Sequence, residues 1–264
     1  MGPATSTEET AVPCLPHSPS PNQTLLAVTL LAMLAACSAP SPLTDPAAVG
    51  PAPVAIAAIS QPANVGDAKR AARAYHDSGA YARDLAVVVT EARSWLNERT
   101  PQVSRPALVL DIDETALSNW EVIQRDDFGR IIGGPCRALP EGPCGWAAWD
   151  LLGRDPALQP TLRLFQQARA SGVSVFFITG RPESQRSATE RNLRNVGYDG
   201  YEHLFMVPDG RSYDSAVKFK TPVRAGIERL GHKIIANVGD QPSDLEGGYA
   251  ERSFLLPNPF YRVP

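Results

Sequence analysis

The chain has 264 residues, with 25 Lys or Arg against 28 Asp or Glu and a formal charge of -3, so it lacks the basic footprint of a protein built to grip duplex nucleic acid. A hydrophobic content of 43% suits one soluble globular domain with a small appendage. The one long apolar stretch, residues 25–37, is shorter than the roughly 20 residues a bilayer-spanning helix needs, which excludes a multi-span membrane protein.

That stretch is followed at once by Ser38, Ala39 and Pro40, and its length and small-residue ending fit a signal h-region. Leu34-Ala35-Ala36-Cys37 resembles a bacterial lipobox, which implies a signal at residues 1–36, a lipid on Cys37 and an exported protein anchored in the cell envelope. An ordinary secretory signal giving a soluble periplasmic or secreted protein, or a buried apolar helix, is the alternative. Residues 1–24 contain Glu8 and Glu9 but no Lys or Arg, unlike the positive n-region of a signal. The translation start is therefore open, although Met33 lies inside the apolar stretch and cannot serve.

Residues 37–64, dominated by Pro, Ala and Ser, carry no helical or strand period and read as a tether. Between about 65 and 99, apolar residues including Ala72, Leu85, Val88, Val89, Ala92 and Trp95 recur near helical spacing. A break at Ser78-Gly79 divides them into two helices. Beyond Thr100, short β-branched runs alternate with helical segments, the pattern of an α/β domain with a parallel sheet. Strands are expected at 107–110, 173–178, 204–207, 233–238 and 253–256. Helices are expected at 158–170, from Pro182 to about Asn195 with Gly197 ending it, and from Thr221 with Pro222 at its first position. The stretch 114–172 is longer than one crossover helix needs and implies an insertion over the sheet's carboxyl edge. Within it Cys136 and Cys144 lie in a Gly/Pro-rich loop, a candidate disulfide if the chain is exported; two free thiols remain open, and zinc is disfavoured for want of further ligands.

Four polar clusters stand at the ends of these elements. The first is Leu110-Asp111-Ile112-Asp113-Glu114-Thr115, whose paired carboxylates would repel unless a cation or proton lies between them. Oxygen ligands of this kind suit a hard ion such as Mg²⁺, although an acidic helix-capping turn has the same sequence. The second is Ile178-Thr179-Gly180-Arg181, where a hydroxyl and exposed backbone N–H groups can hold phosphate oxygens, and where an ordinary turn is the commoner reading. The third is Lys218-Phe219-Lys220-Thr221-Pro222, expected just ahead of a helix, and the fourth is Gly239-Asp240-Gln241-Pro242-Ser243-Asp244.

Taken together and in this order, the clusters resemble the haloacid dehalogenase (HAD) superfamily, and in detail its subfamily IIIB acid phosphatases, which include plant vegetative storage proteins and have bacterial lipoprotein relatives. The closer likeness lies in Asp111 to Thr115 with Leu117-Ser118-Asn119, in Gly180 to Arg186, in Phe219-Lys220-Thr221, and in Asn237 to Leu245, and it covers about residues 65–257. The Cys136 to Cys144 loop departs from the pattern, as does Pro242, where a tryptophan or similar residue is expected. The resemblance implies a Rossmann-like core in residues 65–264 with a smaller, mainly helical cap at about 116–156. It implies Asp111 as nucleophile toward phosphate monoesters and Asp113 as acid and base. Mg²⁺ would be held by Asp111, the Asp113 carbonyl, Asp240 and Asp244. Phosphate oxygens would be bound by Thr179, Gly180 and a lysine, with Lys220 preferred to Lys218 because Phe-Lys-Thr fits the family's register. Nucleoside monophosphates are the implied first guess for substrate.

Arg181 and Arg186 are expected to tie motif turns together through exposed salt bridges of little weight. Trp120, Trp146 and Trp149 are read as cap core rather than a stacking surface for an aromatic leaving group. His17, His76, His203 and His232 show no mutual metal-ligand spacing. A phosphotransferase of the same fold, and a non-catalytic surface binding or storage protein, are the competing functions.

Overall fold

A computed structural model describes residues 62–133 and 145–264. The signal, Cys37, most of the expected tether, Cys136 and Cys144 fall outside the described residues. Two helices open the described chain, α1 (Val65–Asp77) and α2 (Ala80–Arg99). Gly79 between them takes φ 73°, a left-handed geometry that glycine adopts without a Cβ clash, so the chain reverses there as the sequence predicts.

Five strands follow: β1 (Pro106–Leu110), β2 (Ser174–Pro182), β3 (His203–Val207), β4 (Lys233–Gly239) and β5 (Arg252–Leu255). They form one all-parallel sheet in the order β3-β2-β1-β4-β5. Such a sheet needs crossover segments that cover both faces, so its central strand should be apolar on both sides. β1 meets that demand, with all five residues buried. Leu108 and Leu110 join one apolar cluster with Leu85, Val89 and Leu96 of α2 and Phe177 of β2; Ala107 and Val109 join a second with Phe176, Ile234 and Phe219.

Between β1 and β2 lie α3 (Trp120–Arg125), α4 (Trp146–Leu152) and the crossover helix α5 (Gln159–Ala170). After β2 comes a single 3₁₀ turn and then α6 (Arg186–Asn195), and Gly197 ends that helix at φ 101°. The strand runs four residues further than expected, so Thr179, Gly180 and Arg181 lie inside β2 rather than in a turn beyond it. Its register against β3 shifts between Ile178 and Pro182, which releases those residues from the regular ladder at the sheet's carboxyl edge.

The helix expected to start at Thr221 begins earlier, as α7 (Ala216–Arg229), capped by the Ser215 hydroxyl, which accepts from Val217 N at 3.3 Å. Pro222 therefore sits inside the helix. Its missing N–H is tolerated because Phe219, Lys220, Arg224 and Ile227 are buried and anchor the turns on either side. A short helix, α8 (Pro242–Leu245), follows β4.

The order of strands places a topological switch between β1 and β4. The chain leaves β1 toward β2 and β3, then returns to the other side of β1, so the connections from the carboxyl ends of β1 and β4 diverge and open a crevice. Phe177 lies next to β1, is fully buried, and packs against Phe165, Tyr198 and Tyr201 with ring centroids 5.3 to 6.1 Å apart. Phe177→Ala is expected to lower the free energy of unfolding by about 3–5 kcal/mol, read from urea titration, because it removes a fully buried ring and its aromatic contacts.

Candidate active site

Asp111 follows β1 directly, and its backbone N–H still donates to Val238 O of β4 at 3.0 Å. Asp240 follows β4 directly. Two parallel strands side by side thus carry two carboxylates to the same crevice. Asp244 joins them from α8, and one carboxylate oxygen from each of Asp111, Asp240 and Asp244 lies within 4.8 Å of the others. Gly239 makes this approach possible, since a Cβ there would stand 2.5 Å from Asp244 Cβ.

Lys220 of α7 donates to Asp111 Oδ1 at 2.5 Å and to Asp244 Oδ1 at 2.7 Å, and all three side chains are buried. Burial would lower the lysine's pKa, but the two carboxylates more than offset it and hold the ammonium charged. One cation does not balance three buried carboxylates. Burial raises the Asp111 carboxyl well above its ordinary range, and the charges of Asp244, Asp240 and Asp113 add to the push while Lys220 opposes it. Burial, with the Asp244 charge, takes Asp240 up to about 8. A hard divalent cation fits this all-oxygen, negatively overcharged donor set.

Asp113 lies in a different field. Arg181, only 3% exposed, donates to it through Nη2 at 2.6 Å and Nε at 3.1 Å, and Asn119 Nδ2 donates at 2.9 Å. Burial alone would raise Asp113, but Arg181, Asn119 and the charge of Arg130 hold it below its ordinary value. The same guanidinium reaches Asp155 at 3.0 Å and Asp150 at 3.3 Å. The expectation that Arg181 makes an exposed and weak salt bridge is overturned. It lies inside β2, not in a surface turn, and it is the buried hub of three carboxylates. Arg186 is closer to expectation: it is part-exposed, pairs with Glu183 and Glu190, and also donates to Leu204 O.

Asp111, Asp113, Gly180, Lys220, Asp240 and Asp244 line one cavity of about 180 Å³. A Cβ on Gly180 would meet nothing within 4 Å, so this glycine leaves open space at the lining. Thr179 is fully buried outside the lining, and its hydroxyl accepts from Arg181 N at 3.1 Å, which leaves its proton free to donate. Lys218 points elsewhere, to an exposed pair with Asp214. Trp149 is core and donates to Asn119 Oδ1 at 3.1 Å. Trp146 is buried yet lines the cavity, and Trp120 stacks on His76 with centroids 3.7 Å apart.

Several residues here escaped the reading of the motifs. Glu114 is buried, accepts from Asn119 N at 2.6 Å and from Tyr261 Oη at 2.8 Å, and burial takes its carboxyl up to about 8. Asn258 donates to Asp240 at 2.6 Å, and Val263 N donates to Gln241 at 3.2 Å, so the last residues of the chain brace the site. Arg224, fully buried, donates to Asp244 O at 2.7 Å and to Gly248 O at 2.9 Å, fixing the turn that presents Asp244. Glu114 and Asn119 had a signal, the first inside the first motif and the second just after it; Arg224, Asn258, Tyr261 and Val263 lie outside the motifs.

Residues 54–264 match the protein family described as HAD superfamily, subfamily IIIB (acid phosphatase). The chain is 33% identical to acid phosphatase 1 of Solanum lycopersicum over 160 residues, 60% of each chain. It is 30% identical to vegetative storage protein 1 of Arabidopsis thaliana over 157 residues, 59% of this chain and 55% of that one. The matches thus span about 60% or less of these curated relatives. Its fold is similar to that of the class C acid phosphatase of Bacillus anthracis, with a TM-score of 0.58 at 20% identity over 75% of this chain and 86% of that one.

The raised carboxyls give the metal-free chain a defined response to pH. Asp155 stands at about 6, Asp150 at about 7, and Glu114 and Asp240 at about 8, each raised first by burial. All lie above the roughly 4 of an unfolded chain, so the folded state holds protons that the unfolded state has released, and stability is lost as pH rises through this window. In the presence of a chelator the melting temperature is expected to fall from about pH 5 to about pH 8, and Glu114→Gln to flatten the slope. A flat or rising profile in thermal circular dichroism would contradict the assignment.

Proposed function

The chain belongs to the acid phosphatases of HAD superfamily subfamily IIIB, and on that premise we propose that it is a Mg²⁺-dependent hydrolase of phosphate monoesters working through an aspartyl-phosphate. The observation that carries this reading is the division between two carboxylates two residues apart. Asp111 faces the overcharged group with Asp240, Asp244 and Lys220, whereas Asp113 is turned away onto Arg181 and Asn119. Two carboxyls with such different surroundings suit different tasks.

A Mg²⁺ ion held by Asp111, Asp240, Asp244 and the Asp113 carbonyl would supply electrostatic relief between the nucleophile and the phosphate. Asp111 forms a bond to phosphorus as the ester P–O bond breaks; the departing alkoxide takes a proton from Asp113, which must first acquire it from solvent at acid pH because Arg181 favours its carboxylate form. Asp113, now a carboxylate, takes a proton from water while the water oxygen attacks phosphorus and the bond to Asp111 breaks, releasing inorganic phosphate. Lys220 is suited to binding the non-bridging oxygens, and the open face of Gly180 leaves them room, whereas the role of Thr179, buried outside the lining, rests on the family likeness alone. Arg181 positions Asp113. It holds the carboxylate at 2.6 Å on a guanidinium that Asp150 and Asp155 fix from behind.

The full chain is expected to hydrolyse a chromogenic aryl phosphate only when Mg²⁺ is present. Asp111→Asn should abolish turnover, and Asp113→Asn should reduce it by about 10² to 10⁴. Folded, metal-loaded protein that releases no phosphate at any pH from acid to neutral would sink the reading in favour of a binding or storage role.

Export and anchoring rest on the sequence alone: the apolar stretch 25–37 ends in Leu-Ala-Ala-Cys and is followed by a Pro/Ala-rich segment. The reading adopted is a lipid on Cys37, with residues 38–64 as a spacer. Cys37→Ala should move the protein from the membrane to the soluble fraction, and a variant that stays lipid-modified and membrane-bound would overturn it.

A further inference from the structure

The cavity lining contains three cations, Lys220, Arg181 and Arg130. Lys220 is paired with Asp111 and Asp244 beside the proposed phosphate position, and Arg181 with Asp113, Asp150 and Asp155. Arg130 has no ion pair among the described residues. Its guanidinium carbon lies 5.4 Å from the ring centroid of Trp146 and 6.0 Å from that of Tyr261, two aromatic side chains that line the same cavity. An aromatic shelf orients a guanidinium without occupying its N–H groups.

The backbone around Arg130 is fixed on both sides. Asp127 and Phe128 both take left-handed geometry, at φ 51° and 62°, which side-chain-bearing residues rarely do in succession. Gly129 N donates to Asp126 O at 2.8 Å and closes the turn. Beyond Arg130, Trp146 N and Ala147 N donate to Ile131 O and Ile132 O at 2.8 and 3.1 Å, tying the segment to the start of α4. The strained turn thus delivers to the cavity a cation with no ion pair among the described residues. Arg130 and Asp113 line the same cavity, and the guanidinium charge acts on that carboxyl.

We propose that Arg130 is a specificity-determining residue that receives a second anionic group, a carboxylate or a further phosphate, on the alcohol portion of the substrate. The proposal rests on the phosphomonoester reading above and names a substrate class within it. A neutral leaving group would use only the apolar faces of Trp146 and Tyr261; an anionic one would also pair with the free guanidinium fork.

Equilibrium binding to the full, Mg²⁺-loaded chain separates these cases without requiring turnover. Three probes of similar shape are measured by calorimetry: benzylphosphonate, 4-carboxybenzylphosphonate and the corresponding bis-phosphonate, in which a second phosphonomethyl group replaces the carboxyl. At least one anionic probe is expected to bind about tenfold tighter than benzylphosphonate, the size of one charge-assisted hydrogen bond. Which of the two binds tighter identifies the preferred second group. Arg130→Gln should bring all three within about twofold of one another, whereas Arg130→Lys should keep part of the preference. In the wild-type chain, the preference should shrink between about 0.05 and 0.5 M salt, because a solvent-facing charge is screened. Equal binding of the three probes by the wild type, or a preference that survives Arg130→Gln, overturns the assignment of Arg130 and leaves the phosphatase reading standing. Binding of none of them overturns both.

Discussion

Everything at the carboxyl edge of this sheet follows from carboxylates brought closer than their charges allow. Adjacent parallel strands β1 and β4 end at Asp111 and Asp240, and α8 adds Asp244 to the same few ångströms. Such a group keeps its geometry only with positive charge inside it. Lys220 supplies one unit, and the remainder is met by protons or by a divalent cation. The surrounding structure is arranged to hold this crowding. Gly239 admits Asp244, Arg224 and Asn237 pin its backbone, and Thr115, Gln241 and Asn258 donate to Asp240.

The second carboxylate of the first motif is separated from this group by its own buried partner. A carboxyl two residues along from Asp111 could have joined the same cluster; instead Arg181 and Asn119 draw it to the other side. A buried guanidinium facing Asp113, Asp150 and Asp155 is costly to desolvate, and removing it would leave three uncompensated carboxyls. Its consequence for chemistry is clearer. It keeps Asp113, the proposed acid and base, at a fixed place apart from Asp111, the proposed nucleophile, which stays in the carboxylate group with Lys220. Sequence reasoning assigned Arg181 a minor role because a residue after an apolar strand and a glycine is usually in a solvated turn. The strand in fact continues to Pro182 and carries Arg181 inward.

The elements themselves were largely legible. Both N-terminal helices, their break at Gly79, and all five strands follow from apolar periodicity and turn residues, with boundaries differing by a few positions. Two helix starts were misread for physical reasons. Pro182 and Pro222 both favour a first helical turn, but the first is retained by the strand and the second is carried inside α7, whose start Ser215 sets instead. In each case sheet pairing or burial outweighed a local preference worth only a few kcal/mol.

The sequence by itself determined the α/β class, the order of the four polar clusters and the placing of Asp111, Asp113, Asp240 and Asp244 at or just past strand ends, because apolar strands and the polar residues that end them are local in the chain; Lys220 was preferred to Lys218 only by the family register, and α7 brings it to the carboxylates. Only the tertiary structure decided which cations of the cavity are already paired and which has no ion pair among the described residues. Arg181, Arg186 and Arg130 are indistinguishable as letters, and their partners lie up to 131 residues away along the chain, as for Arg130 and Tyr261. Sheet topology and the insertion's turn bring those partners together, and whether a buried charge is balanced is a property of the neighbours that folding supplies.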